Sequence, residues 1–230
     1  MKELFETSVF FGVVISLVGY ETGLFIKRKW KKAVFNPLLI SIVFVMAFLG
    51  VFQVDYTAYA EGAKYISYLL TPATVCLAIP LYQQLELLKS NKKAIVAGIT
   101  AGVIASLGSV LGLSVLFGLT HEQYVTLLPK SITTAIGMGV SEEAGGLVTI
   151  TVAVIIITGV LGNMIAESVC RLFRIEEPVA KGIAIGTSAH AVGTARAMEM
   201  GEIEGAMSSL SIVVSGLITV VGVSVFAGFY

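Results

Sequence analysis

Apolar residues occur along this chain in blocks long enough to cross a bilayer, and the interruptions between the blocks carry most of the information. Residues 7–26 form the first block, followed at once by Lys27, Arg28, Lys29, Lys31 and Lys32 around Trp30. A cleavable signal would carry its charge before the apolar core and end in small residues, so this segment is read as retained. Residues 38–54 form a second span, and 64–88 a third that is interrupted by Pro72 and Pro80. After Lys89, Lys92 and Lys93, residues 94–119 contain no charge and carry glycine pairs four apart, Gly98/Gly102 and Gly108/Gly112. That spacing lets another helix approach closely, and it predicts a homodimer. Residues 147–165 and 205–229 are further spans. Two stretches are broken: 125–146, with Pro129, Lys130, Glu142 and Glu143, and 182–201, rich in Gly, Ser and Thr.

The basic residues orient these spans. If each broken stretch enters and leaves on one side, six full spans place the cations at 27–32, 89–93 and 171–181 in the cytoplasm and both termini outside. Those groups hold eleven of the fifteen Lys and Arg. A complete crossing by 125–146 would turn Arg171 and Arg174 outward. The expectation is an all-α polytopic membrane protein with about six full transmembrane helices plus two oppositely oriented broken or re-entrant segments, like an inverted-repeat transporter. Crossed broken helices are the alternative. A single integral membrane domain is expected over 1–230, with three spans in 1–93 and the broken segments in 94–230.

Composition agrees with lipid as solvent: 56% of the 230 residues are hydrophobic, 13% are charged, and the mean hydropathy is +0.92. Fifteen basic against fifteen acidic residues leave no field to attract nucleic acid. Two cysteines, Cys76 and Cys170, far apart and in apolar surroundings, are read as packing residues. With only His121 and His190 as histidines, no metal centre and no cofactor are expected. There is no Gly-x-Ser-x-Gly turn, His-Glu-x-x-His helix or Walker loop, so the chain is not read as an enzyme.

Irregular backbone survives at membrane depth only where protein or a polar cavity satisfies it, so the broken stretches mark a site. Lys130 is the candidate carboxylate-binding cation, with snorkelling to the outer interface as the alternative. Arg196 offers a planar two-point clamp for a carboxylate or pairs with Glu199 one turn later. His190 suits proton coupling near neutrality or satisfies loose backbone groups. Glu142 and Glu143 carry a proton or end the first hairpin in water. Ser131, Thr133, Thr134, Thr187, Ser188 and Thr194 bind carboxylate oxygens or close backbone gaps. The leading expectation is a proton- or ion-coupled transporter of small monocarboxylates, exposed alternately between the two broken elements.

Four motifs carry a resemblance over nearly the whole chain: Thr71-Pro72-Ala73-Thr74-Val75 with Pro80, Leu128-Pro129-Lys130-Ser131-Ile132-Thr133-Thr134, Gly186-Thr187-Ser188-Ala189-His190-Ala191-Val192-Gly193-Thr194-Ala195-Arg196-Ala197, and Gly205-Ala206-Met207-Ser208-Ser209-Leu210. They resemble the LrgB/CidB family of bacterial membrane proteins. The resemblance implies a multi-pass protein of the bacterial cytoplasmic membrane. It also implies one of two roles: a holin/antiholin-like modulator of murein hydrolase activity and autolysis, or a carrier of pyruvate-, glycolate- or lactate-type acids. Bacterial pyruvate uptake in this family involves a small LrgA/CidA-type membrane partner, and the C-terminal half of the plastid glycolate/glycerate translocator is similar to this chain.

Overall fold

The computed structural model describes residues 8, 10–30, 35–76 and 78–230, with the side chains of all of these except 70, 71, 74 and 81. Thr7, at the head of the first expected span, and Lys31 and Lys32 of the basic block lie outside the described residues. Every regular element among the described residues is helical, and the chain divides into two compact units, Met1–Cys76 and Leu77–Tyr230.

The first unit holds α1 (Phe11–Trp30), α2 (Pro37–Phe52), α3 (Tyr56–Ser67) and α4 (Leu70–Cys76). Asn36 caps α2, its Oδ1 accepting from the Leu38 and Leu39 amides at 2.8 and 3.3 Å, with Pro37 at the first helical position. Asp55 does the same for α3 through the Thr57 amide at 2.8 Å. Phe11, Ile15, Val45 and Val54 form the core of this unit. Gly12 lies so close to the α3 backbone at Tyr59, Gly62 and Ala63 that a Cβ would collide with it. Ser16, one turn on, satisfies itself on the Gly12 carbonyl at 2.7 Å and meets the Tyr59 hydroxyl at 2.9 Å.

The second unit holds α5 (Ala78–Gln83), α6 (Leu85–Phe117), α7 (His121–Leu127), α8 (Thr134–Glu143), α9 (Val148–Leu172), α10 (Pro178–Met200) and α11 (Glu202–Phe226), followed by a 3₁₀ turn at Ala227–Phe229. The expected third span, 64–88, is thus divided among α3, α4, α5 and the start of α6. Pro72 and Pro80 each fall at the third residue of a short helix, where the missing N–H costs least. The expected loop at Lys89–Lys93 is helical. Helix α6 has 33 residues, about 50 Å at 1.5 Å per residue, against a hydrocarbon core of about 30 Å. It has length to spare for a charged first segment in water. Three helices among the described residues are long and apolar enough to cross a bilayer, α6, α9 and the stretch Glu202–Phe229, which makes this an all-α membrane protein. The shorter α2 is apolar as well.

One stripe of α6, Ile95, Ile99, Val103, Leu107 and Val110, is buried with four-, four-, four- and three-residue spacing, as a single helical face requires. Its core partners include Tyr124 of α7, Leu128 and Ile132 of the first broken segment and Met207 of α11. Helices α10 and α11 touch most intimately at Gly182 and Gly186, where an added Cβ would come within 2.7 Å of Met207 Cβ and 2.8 Å of Ser208 Cα. Of the two cysteines, Cys170 is buried in this unit, whereas Cys76 is exposed.

Candidate functional site

Both broken stretches are irregular, and each is closed by side chains that arrive from distant elements. Helix α7 opens with a capping box between Thr120 and Gln123 and stops at Leu127, ahead of Pro129. The chain then turns through 128–133 before α8 begins, and Gly145, at φ +79°, turns it back into α9. Three hydroxyls hold this hairpin together. Thr126 Oγ1 accepts from the Leu147 amide at 2.8 Å, Thr151 Oγ1 donates to the Thr126 carbonyl at 2.9 Å, and Ser141 lies 2.6 Å from Thr151. All three are buried.

In the second stretch the break falls on one residue. His190, at φ 41° and ψ −141°, interrupts α10 in a region that non-glycine residues rarely occupy. Its Nε2 lies 3.0 Å from the Ile155 carbonyl, and because a carbonyl only accepts, Nε2 carries the proton. Asn163, in the middle of α9, donates to the Val192 carbonyl at 2.7 Å, and Thr194 donates to the His190 carbonyl at 2.9 Å. With the Thr194 proton committed, Ser208 of α11 is the donor in the 2.7 Å contact between their hydroxyls. Helix α9 makes room for the imidazole at Gly159, where a Cβ would lie 2.7 Å from the ring.

Lys130 projects from the turn between α7 and α8. Its Nζ donates to Ser106 Oγ of α6 and to Ser131 Oγ, each at 3.1 Å, and the two hydroxyls lie 2.9 Å apart. Among the described residues no carboxylate lies within 4 Å of this ammonium. One of its N–H groups and one of the two serine hydroxyl protons remain free to meet an acceptor. Lys130 and Ser131 stand at a cleft of about 720 Å³ between α6 and α10, lined also by Ser106, Thr187 and Ser188. A second cleft of about 470 Å³, on the α9 side of α10, shares Lys130, Ala184 and Ser188 with the first.

The sequence-selected residues therefore fall into five groups. Lys130, Ser131, Thr187 and Ser188 come together at the cleft. Their hydroxyls are not equivalent, since Ser188 donates to the Ala184 carbonyl at 2.7 Å whereas Thr187 Oγ1, on a residue 5% exposed, has no partner among the described residues. His190 and Thr194 serve the break in α10. Thr133 and Thr134 begin α8, without a side-chain cap. Arg196 stands elsewhere, in a pocket of about 460 Å³, bound to Glu167 of α9 and, at 2.5 Å, to Glu199. Glu142 and Glu143 are exposed at the end of α8. Sequence reasoning missed Ser106, Asn163, Ser208 and Glu167. A lone amide in the apolar run of α9 was the one signal available, and the other three act across 14 to 29 residues of chain.

Comparison with known proteins gives one consistent picture. The LrgB-like family model matches residues 16–229. The chain is similar to the antiholin-like protein LrgB of Bacillus mycoides (strain KBAB4), of Bacillus cereus (strain B4264) and of Bacillus anthracis (strain CDC 684 / NRRL 3495). Each is 38% identical over 221 residues, covering 96% of this chain and 96% of the relative. These names are not those of enzymes. No solved structure matches the chain.

Proposed function

Because the chain belongs to the LrgB-like family, we propose that it acts as an antiholin-like membrane component that modulates murein hydrolase activity and autolysis. The names of relatives aligned over 96% of the chain carry this reading. In a bacterium lacking its own LrgB-like protein, expression of this chain should delay detergent-induced loss of culture turbidity. An unchanged lysis curve with the protein inserted in the membrane would overturn it.

A second reading is favoured by the cation at the cleft. Among the described residues Lys130 is held by two hydroxyls and no acid, beside a broken helix, which suits a small monocarboxylate of the pyruvate, glycolate or lactate type. On this reading the chain carries the acid with a proton or another ion, and Lys130, Ser131 and Thr187 bind it. Proteoliposomes should accumulate labelled acid under an imposed gradient. Absence of gradient-dependent flux, with or without an LrgA/CidA-type partner, would sink transport and leave the regulatory role standing. The two roles also separate in Lys130→Met: a pure regulator keeps its lysis phenotype, whereas a carrier loses phenotype and flux together.

The proposed setting is a bacterial cytoplasmic membrane crossed by six full spans, with opposed broken segments and both termini outside. Three basic groups on one side support this layout. We further propose a homodimer.

A further inference from the structure

The wall of the Lys130 cleft bears on which acid fits there. A three-carbon acid occupies roughly 90 Å³, about three water volumes, and so fills a small part of a 720 Å³ space. The polar groups cluster where Lys130, Ser106, Ser131 and Thr187 meet. Beyond them most of the lining is apolar, with Ala94, Gly98, Ala105, Val179, Ala180 and Ile183; Asn91, Ser109 and Ser188 also line it but spend their donors within α6 and α10, and Glu177 adds an acceptor at the start of α10. Thr187 adds an independent observation: its hydroxyl is buried in this wall and has no partner among the described residues, a costly arrangement unless a ligand supplies an acceptor.

Resting on the reading of Lys130 as an anion site, we propose that the cleft binds an amphipathic monocarboxylate, its head on Lys130 and Thr187 and an aliphatic tail of about four to eight carbons along the α6–α10 wall. The polar end supplies charge and donors for one carboxylate, and the remaining wall rewards hydrocarbon over hydroxyl groups. Polyhydroxylated acids of the same length are disfavoured, because most of their hydroxyls would lose water against an apolar wall.

The test is displacement of labelled butyrate from the full chain in nanodiscs, with binding to empty nanodiscs subtracted. The competitors are acetate, butyrate, hexanoate and octanoate. Affinity should rise about fourfold per methylene, the factor expected for burying each CH₂. Lys130→Met should abolish specific binding of the whole series, and Ala94→Leu, which fills the wall, should shrink the ratio of hexanoate to acetate affinity. Equal displacement by all four acids would overturn the tail while leaving the anion site in place. A chain-length dependence that survives Lys130→Met would overturn the proposal, since the acids would then be partitioning elsewhere. No specific butyrate binding to the wild type would remove both the tail and the anion site beneath it.

Discussion

At the scale of single residues, the second unit keeps two side chains in positions that stability alone would not select. Lys130 is half-buried with only hydroxyl partners among the described residues, so its charge sheds water without gaining a counter-charge from them. Lys130→Met keeps most of the length of the side chain and removes that cost, while Ser106 and Ser131 remain bonded to each other. The variant should melt higher in detergent, by about 1 kcal/mol, while losing its carboxylate response; a lower melting temperature would mean that the ammonium is structural. His190 combines a positive φ with a hydrogen bond to Ile155. Alanine there keeps the torsional strain of about 1–3 kcal/mol and loses a bond of about 1 kcal/mol, whereas glycine loses the bond and relieves the strain. His190→Gly should therefore be more stable than His190→Ala by about 1–2 kcal/mol in thermal unfolding. The reverse order would show that glycine's extra freedom in the unfolded chain outweighs the torsional relief at this position.

At the scale of elements, the four glycines of α6 that looked alike in sequence have different surroundings. A Cβ on Gly102 would lie 2.7 Å from Thr187 Cγ2, and one on Gly98 would touch Ile183 at 3.4 Å, whereas Gly108 and Gly112 have nothing within 4 Å. Gly102→Val should destabilise the chain by about 1–3 kcal/mol through overpacking against α10, and Gly108→Val by less than about 0.5 kcal/mol. Adding Thr187→Ala to Gly102→Val should restore part of the loss in a double-mutant cycle, and strict additivity would place the damage somewhere other than this contact. The same comparison marks what could be read from sequence. Spacing announced that α6 would accept a close neighbour; which pair did so depended on where α10 lies, a long-range fact. Proline positions announced the short helices around 72 and 80. The Lys89–Lys93 cluster suggested a loop, yet α6 runs through it, because charge along a sequence does not by itself end a helix. The glycine- and hydroxyl-rich stretch 182–201 announced a break, but its assignment to His190 rests on acceptors and donors from α9, Ile155 and Asn163, that no local pattern encodes.

At the scale of the whole molecule, the proposed homodimer has to use a surface that the fold leaves open. Gly98 and Gly102 are engaged inside the second unit, so the contact falls to Gly108 and Gly112, four residues apart on α6, with Ser109 turned back onto the Ser106 carbonyl at 2.7 Å. Small residues at that spacing let two backbones approach within a bilayer, where association relies on close packing because lipid tails are as apolar as the side chains they would replace. Leucine at both positions should separate the protomers while leaving the second unit folded, because a Cβ at either position has nothing within 4 Å among the described residues beyond its own helix. Native mass spectrometry and light scattering in mild detergent would report a dimer for the wild type, a monomer for the Gly108→Leu/Gly112→Leu variant, and unchanged thermal melting at matched protomer concentration if the contact adds little to protomer stability. A wild type that is monomeric in both measurements, or a double variant that remains dimeric, would exclude this face of α6 as the interface.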